Sequence, residues 1–199
     1  MLTGARQTGK TSTFLRLFPK HSLVCLDLPA EAEQAEKEPG TFLQRHPPPV
    51  LLEPWFSNRT KSIVKSPKLY LADTGLLCAL LNIRSKEALR QSPAVGAVWE
   101  TFVFAQLRDR ERCGGHTGSL FFWRDRTREV DFVVDTGGRL ELFEAKWTEL
   151  PDTGDTVNLD FVRNVVGKSR VAAGAVVCRA PNGFPLPGGF RALPVTELR

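Results

Sequence analysis

The chain contains 199 residues, of which 42% are hydrophobic and 25% are charged, and its formal net charge at pH 7 is +5. These values are typical of a soluble globular protein with one large domain, or with a medium-sized domain and a fragment. No apolar run is long enough to span a membrane, and the N-terminus lacks a secretion-signal pattern, so we expect a cytoplasmic protein without a membrane partner. The four cysteines lie far apart and indicate neither a zinc site nor a disulfide framework.

The first predicted elements are a short strand, a glycine-containing loop and a helix at Lys10–Phe18. The loop from Gly4 to Thr11 matches the full pattern Gly-x-x-x-x-Gly-Lys-Thr of phosphate-binding loops. Its backbone amides would cradle phosphate oxygens, with the Lys10 ammonium on the β- and γ-phosphates and the Thr11 hydroxyl on magnesium. The pattern therefore predicts that Gly4, Gly9, Lys10 and Thr11 bind the nucleotide ATP together with Mg²⁺.

A second, acidic strand is needed for ATP hydrolysis, because its carboxylate helps to hold magnesium. The candidate strand is Val50–Pro54, which carries Glu53 but no Asp-Glu pair. Just before it, three consecutive prolines, Pro47–Pro49, cannot continue a helix or a ladder and mark a boundary. We therefore predict a truncated P-loop segment at 1–50 and a second domain at 51–199, with ATP hydrolysis impaired. A vestigial loop that binds nucleotide weakly or not at all is the open alternative.

Helical and strand patterns alternate in the second domain. The patterns predict a strand at Lys68–Leu71, helices at Asp73–Leu81 and Ala94–Arg108, strands at Leu120–Trp123, Glu129–Asp135 and Leu140–Trp147, a helix at Leu159–Val166 and a strand at Ala173–Cys178. Residues 180–194 are rich in proline and glycine and predict an irregular tail.

A hairpin of charged residues is predicted around Gly137–Gly138, because two glycines are a favoured two-residue hairpin loop. This loop would place Asp131 directly opposite Glu144, and Glu129 opposite Lys146. Two carboxylates that face each other repel unless a cation lies between them. Carboxylates suit Mg²⁺ or Mn²⁺, so the hairpin is consistent with a metal site. A solvated hairpin face, neutralised by lysine and arginine side chains, is the alternative.

The densest basic stretch comprises Arg59, Lys61, Lys65 and Lys68. Such a stretch could follow the phosphate backbone of DNA, which would make binding depend on salt. A solvated loop face is the other interpretation.

Glu100 on a predicted helix, Glu129–Val133 on a strand and Glu144–Lys146 on the next strand together resemble the PD-(D/E)xK core of restriction endonucleases. More narrowly, residues 51–199 resemble domain of unknown function 4143, which is found on bacterial and archaeal AAA-type ATPases. The segments that carry this resemblance are Pro54–Asn58, Val64–Tyr70, Asp73–Leu76, Phe122–Arg124 and the hairpin. Residues 1–50 resemble the start of the ATPase domain in the same proteins, but the middle of that domain is absent, which indicates an internally truncated member.

The resemblance implies an α/β protein in which a partial P-loop NTPase unit precedes a restriction-endonuclease-like α/β domain with a mixed sheet. It implies a nuclease-like site at Glu100, Asp131, Glu144 and Lys146, with Mg²⁺ or Mn²⁺ on Asp131 and Glu144, and ATP contacts at Gly4, Gly9, Lys10 and Thr11.

Three functions remain open at this point. The first is an ATP-binding protein, derived from an AAA-type ATPase and fused to a nuclease-like domain. The second is a metal-dependent DNA endonuclease, and the third is a non-catalytic interaction module or a vestigial one. The sequence does not determine the oligomeric state.

Overall fold

The computed structural model describes residues 49–55, 67–71, 73–115 and 119–198. The chain divides into two units, Met1–Leu51 and Leu52–Arg199, and almost all of the described residues belong to the second. The predicted nucleotide site at Gly4, Gly9, Lys10 and Thr11 lies outside the described residues, and so does most of the basic stretch. The nature of the two predicted domains therefore stays a prediction.

The described part of the chain contains eight strands and four α-helices. The strands are β1 (Pro49–Leu52), β2 (Lys68–Leu71), β3 (Leu120–Arg124), β4 (Glu129–Thr136), β5 (Arg139–Ala145), β6 (Val171–Cys178), β7 (Phe184–Leu186) and β8 (Phe190–Pro194). The helices are α1 (Thr74–Leu80), α2 (Lys86–Gln91), α3 (Val95–Cys113) and α4 (Val157–Val166). None of these helices is long and apolar enough to cross a membrane.

The central sheet has six strands in the order β3-β4-β5-β6-β8-β7. The strands β3, β4 and β5 pair antiparallel, β6 pairs parallel with both β5 and β8, and β7 pairs antiparallel with β8. This arrangement confirms the predicted α/β class with a mixed sheet.

Helices cover the two faces of the sheet. On one face, Leu159 of α4 is buried in the same core cluster as Val133 and Leu142. On the other face, the ring of Phe104 in α3 lies 6.4 Å from the ring of Phe132. Neighbouring residues of a strand point to opposite faces of the sheet. In β4, Phe132 therefore packs towards α3, and Val133 packs towards α4. The sheet is therefore the middle layer, and burial on both sides explains the apolar stretches at residues 132–134 of β4 and 175–178 of β6.

The hairpin between β4 and β5 has the predicted two-residue loop. Gly137 and Gly138 have φ angles of 64° and 90°, which favour glycine because a Cβ atom is strained there. Thr136 pairs with Arg139, and the register continues without a shift to Phe132 opposite Phe143. The predicted register of this hairpin is confirmed over these pairs.

A β-bulge interrupts the pairing of β3 with β4. The pairs on its two sides are Phe121 with Val133 and Trp123 with Val130. Phe122 consequently faces two residues of β4, Asp131 and Phe132. A bulge of this kind breaks the strict alternation of side chains and re-aims one of them, and Val130 and Val133 accordingly share one core cluster. The bulge brings the Asp131 carboxylate within reach of residues on α3.

One sequence prediction about the elements of this domain was wrong, and one helix was missed. Residues 180–194 are not an irregular tail, since β7 and β8 lie there and β8 is an internal strand of the sheet. Pro185 is tolerated because β7 is an edge strand, where a missing N–H need not break a ladder. Helix α2 was not predicted at all, because it buries none of its residues and depends on a local cap, in which Ser85 Oγ accepts from Ala88 N at 3.1 Å.

The two glycines Gly138 and Gly96 should respond oppositely to alanine. Gly138→Ala places a Cβ at a φ of 90° and should lower the free energy of unfolding, by about 1 kcal/mol. Gly96→Ala is the matched control, because Gly96 is exposed in α3 and an added Cβ meets nothing within 4 Å. It should raise the free energy of unfolding by roughly 0.5–1 kcal/mol. Urea unfolding of both variants measures the difference, and an equal change in both would contradict the assigned turn.

Candidate carboxylate site

Strand β2 presents two polar side chains to the rest of the domain. Lys68 and Tyr70 are two positions apart, and side chains with this spacing lie on the same face of a strand. Both reach Glu100 in the first half of α3, where Glu100 Oε1 accepts from Lys68 Nζ at 2.8 Å and from the Tyr70 hydroxyl at 2.5 Å. The short strand and the helix are thereby joined through a single carboxylate.

The Lys68 ammonium also contacts two carboxylates of β4. Its Nζ lies 3.3 Å from Asp131 Oδ1 and forms an ion pair with Glu129 Oε1. Only 11% of the Lys68 side chain is exposed, and the ring of Phe122 lies 5.5 Å from the ammonium. Arg124 forms a further ion pair with Glu129 from the neighbouring strand β3. Three carboxylates therefore share one buried ammonium, with one guanidinium at the edge.

This arrangement shifts the proton equilibria of the cluster. Burial by itself would lower the pKa of Lys68, but the charges of Asp131 and Glu100 and the hydrogen bonds to Glu100 and Glu129 raise it above its ordinary value. Burial, together with the charge of Glu100 and the hydrogen bond to it, raises the pKa of Tyr70 well above its ordinary value. Lysine is thus held as a cation and tyrosine as a neutral donor.

Glu144 on β5 adjoins the cluster and is almost completely buried, with 4% of the residue exposed. Burial, and then the charge and the hydrogen bond of Asp131, raise the pKa of Glu144 well above its ordinary value, while Lys146 acts in the opposite direction. Asp131 Oδ2 also accepts from the backbone N–H of Ala145 at 3.0 Å. The Lys68 cation lies beside Asp131 and opposes the predicted repulsion between Asp131 and Glu144.

The cluster has the donor chemistry of a divalent-metal site. Glu100, Glu129 and Asp131 each offer one carboxylate oxygen, and these oxygens lie within 4.8 Å of one another. Another oxygen, Glu144 Oε1, is buried and accepts no hydrogen bond from the residues that the structure describes. Hard oxygen ligands of this kind suit Mg²⁺ or Mn²⁺. The carboxylate oxygens fit such an ion by type and by spacing, but the Lys68 ammonium lies among the same three carboxylates.

Three of the four predicted nuclease-site residues come together here, namely Glu100, Asp131 and Glu144. The fourth, Lys146, lies one residue beyond β5, where its backbone N–H donates to Val177 O at 3.0 Å. Glu129 forms ion pairs with Lys68 and Arg124. The catalytic and metal-binding roles of these residues are untested. The third predicted metal ligand, Thr11, lies outside the described residues.

Lys68, Tyr70 and Glu129 belong to the cluster but were not assigned to the site from the sequence. Lys68 was assigned to a basic stretch that could contact DNA, whereas its side chain is buried against carboxylates. A signal was available, because Lys68 with Tyr70 and Glu129 with Asp131 are both polar pairs with strand spacing in otherwise apolar runs. The sequence could not predict that β2 and β4 both lie next to Glu100 of α3.

The family to which the chain belongs follows from its match to known protein families. The profile of the domain of unknown function DUF4143 matches residues 95–198, which is just over half of the chain. The chain belongs to this family. A second profile, domain of unknown function DUF8612, matches residues 50–87. The carboxylate site therefore draws Glu100, Glu129 and Asp131 from the DUF4143 part, and Lys68 from the segment that precedes it.

Relatives of the DUF4143 chain occur in mycobacteria. Uncharacterized proteins of Mycobacterium bovis and Mycobacterium tuberculosis are each 34% identical to it over 148 residues. The matched region covers 74% of this chain and 32% of each relative, so the chain spans about a third of the length of these proteins. No solved structure matches the chain significantly.

Proposed function

We propose that the DUF4143 domain is a metal-dependent phosphodiesterase that acts on DNA, with a restriction-endonuclease-like fold. The observation that carries the proposal is the convergence of Glu100 from α3 with Glu129 and Asp131 from β4, whose carboxylate oxygens lie within 4.8 Å of one another. The order of a helix glutamate, a strand aspartate and a Glu-x-Lys strand supports it. Convergence of carboxylates from separate elements is what a site for a divalent cation requires.

Each residue has a role in this proposal. Glu100, Glu129 and Asp131 would hold Mg²⁺ or Mn²⁺, with Glu144 Oε1 as a further buried acceptor beside them. A divalent ion supplies Lewis-acid stabilisation of the negative charge on the phosphate. Lys146, which is close enough to Glu144 to lower its pKa, would orient water or stabilise the charge that develops during cleavage. The net charge of +5 favours association with a polyanion.

Cleavage of plasmid DNA tests the proposal. We expect the full chain to nick plasmid in Mn²⁺ or Mg²⁺ and to lose the activity in a metal chelator. Asp131→Asn should lower the cleavage rate by about 100-fold or more, because it removes a charge from the metal site. Asp109→Asn is the matched control, since Asp109 is an exposed aspartate that pairs only with Arg108 among the described residues. Cleavage that survives Asp131→Asn would identify a contaminating nuclease and would reject the proposal.

A non-catalytic interaction module is the second candidate function. The position of Lys68 favours it, because the Lys68 ammonium and the Arg124 guanidinium offset two of the three carboxylate charges without a metal ion. In that case the cluster joins β2 to α3 and β4 as a structural ion-pair network. This candidate predicts neither metal binding nor cleavage by the wild-type chain, so the plasmid assay separates the two functions.

We further propose, from the complete phosphate-loop sequence alone, that the chain binds ATP through Gly4, Gly9, Lys10 and Thr11, with Mg²⁺ on Thr11. Hydrolysis would be impaired, because the candidate acidic strand supplies only Glu53. Equilibrium binding of labelled ATP should weaken about tenfold or more in Lys10→Ala, since the phosphates lose a charge-assisted bond. Lys37→Ala is the control lysine from the same part of the chain. Equal affinity of Lys10→Ala and wild type, or no binding by either, would overturn this proposal.

A further inference from the structure

The Lys68 ammonium lies where the proposed metal ion would have to bind. Its Nζ contacts Glu100 Oε1 at 2.8 Å and Asp131 Oδ1 at 3.3 Å, and it also pairs with Glu129. These are the same three residues whose carboxylate oxygens could hold a cation. We propose that Lys68 is a tethered competitor of the metal ion, so that the carboxylates bind either the ammonium or a divalent cation.

Simultaneous occupancy is excluded by both space and charge. An ion that reaches three oxygens within 4.8 Å of one another must lie between them, and the ammonium already contacts all three carboxylates. Two cations at contact distance repel each other, and the partial burial of the site reduces screening by water. The ammonium must therefore leave its position before a metal ion can bind.

The ion pairs of Lys68 leave one buried carboxylate oxygen of the neighbouring residue Glu144 available as a ligand. Glu144 Oε1 has no hydrogen-bond partner among the residues described, although Glu144 is one of the most deeply buried charged side chains in that part of the chain. A buried carboxylate oxygen without a donor is unfavourable. Lys68 therefore offsets only part of the negative charge of Glu100, Glu129 and Asp131, and it leaves a buried acceptor that a metal ion or its water ligands could use.

Withdrawal of the ammonium does not require the sheet to open. Lys68 is the first residue of β2, and its side chain is a flexible four-carbon stem that can adopt other rotamers. The hydrogen bond from Tyr70 to Glu100 can persist when the ammonium leaves, because it uses a separate donor. Lys68 is therefore a positioning residue, which sets the affinity of the carboxylates for a divalent cation and the access of that cation to them. This inference rests on the proposed metal site but not on cleavage.

Mn²⁺ binding to the full chain, measured by the paramagnetic resonance signal of free Mn²⁺, tests the competition. Lys68→Met keeps the length of the stem and removes the charge, and it should bind Mn²⁺ about tenfold or more tightly than wild type. Lys86→Met is the control, because Lys86 lies on the exposed face of α2. It should bind Mn²⁺ as the wild type does. Asp131→Asn in the Lys68→Met background should abolish the gain.

Lys68→Met leaves three carboxylates without their cation and could fail to fold in a metal chelator. The variant Lys68→Met/Glu129→Gln lowers this repulsion and keeps Glu100 and Asp131 as ligands. A gain in Mn²⁺ affinity in either variant, or folding of Lys68→Met that depends on Mn²⁺, supports the inference. Affinity equal to or below that of wild type in the folded variants overturns it. Failure of both variants to fold even in Mn²⁺ also overturns it, because a divalent ion would then not replace the ammonium.

Failure of this inference can be distinguished from failure of the proposed function. If Lys68→Met gains Mn²⁺ affinity but no variant cleaves DNA, the competition stands and the phosphodiesterase is rejected. If the wild type cleaves DNA and Lys68→Met binds Mn²⁺ no better, the phosphodiesterase stands and the competition is rejected.

Discussion

Lys68→Met should lower the free energy of unfolding in a metal chelator by about 3 kcal/mol, because removing one partner of a buried ion pair leaves uncompensated charge. The Lys68 side chain is 11% exposed and bonds to three carboxylates, which would face one another without it. Urea unfolding at neutral pH measures the loss. Lys86→Met should change the free energy of unfolding by less than about 0.5 kcal/mol, since surface substitutions have small effects.

The loss of stability in Lys68→Met should also depend on pH. Burial would raise the pKa of Glu129, but hydrogen bonds from Arg124 and Lys68 lower it below its ordinary value of 4.5. A lowered pKa in the folded state contributes stability above the unfolded pKa, and this contribution is lost as the pH falls. The difference between wild type and Lys68→Met should therefore shrink as the pH falls below 4.5. A loss under about 1 kcal/mol at neutral pH would contradict a buried ion-pair network.

Phe132→Ala should lower the free energy of unfolding by about 3–5 kcal/mol, because a large buried ring is removed from a close-packed core. Phe132 is completely buried, and its ring centroid lies 6.0 Å from that of Tyr70 and 6.4 Å from that of Phe104. It is the residue of β4 that supports both β2 and α3. The loss should therefore also loosen Tyr70, whose hydroxyl donates to Glu100.

Two further variants provide reference values for the loss of stability in Phe132→Ala. Phe132→Leu keeps most of the apolar volume and should lose roughly 1–2 kcal/mol. Leu150→Ala removes a leucine that is 81% exposed, and it should stay within about 0.5 kcal/mol of wild type. Equal stability of Phe132→Ala and Leu150→Ala would show that Phe132 does not join these elements.

Local sequence rules were sufficient where a short segment determines its own geometry. The Gly137–Gly138 loop fixed the register of the hairpin, because only two residues with positive φ close it in this way. Helix α3 was predicted with its start within one residue, although it continues to Cys113 rather than ending at Arg108, and Glu100 lies on it as expected.

Propensity failed where tertiary contacts override it. Proline and glycine between residues 180 and 194 predicted irregular structure, yet β8 lies inside the sheet between β6 and β7. Ladder hydrogen bonds from both neighbours stabilise β8, and such non-local pairing leaves no periodic signal in a short strand.

The sequence by itself determined the register of the glycine hairpin, and it so predicted a repulsion between Asp131 and Glu144, one pair beyond the last confirmed pair of Phe132 with Phe143. Only the tertiary structure decided which cation resolves the repulsion. The bulge on β4 re-aims Asp131, and the packing of β2 against α3 brings Lys68 and Tyr70 to Glu100. Lys68 and Asp131 are separated by 63 positions along the chain. Their contact depends on how separate elements pack rather than on spacing within any one of them.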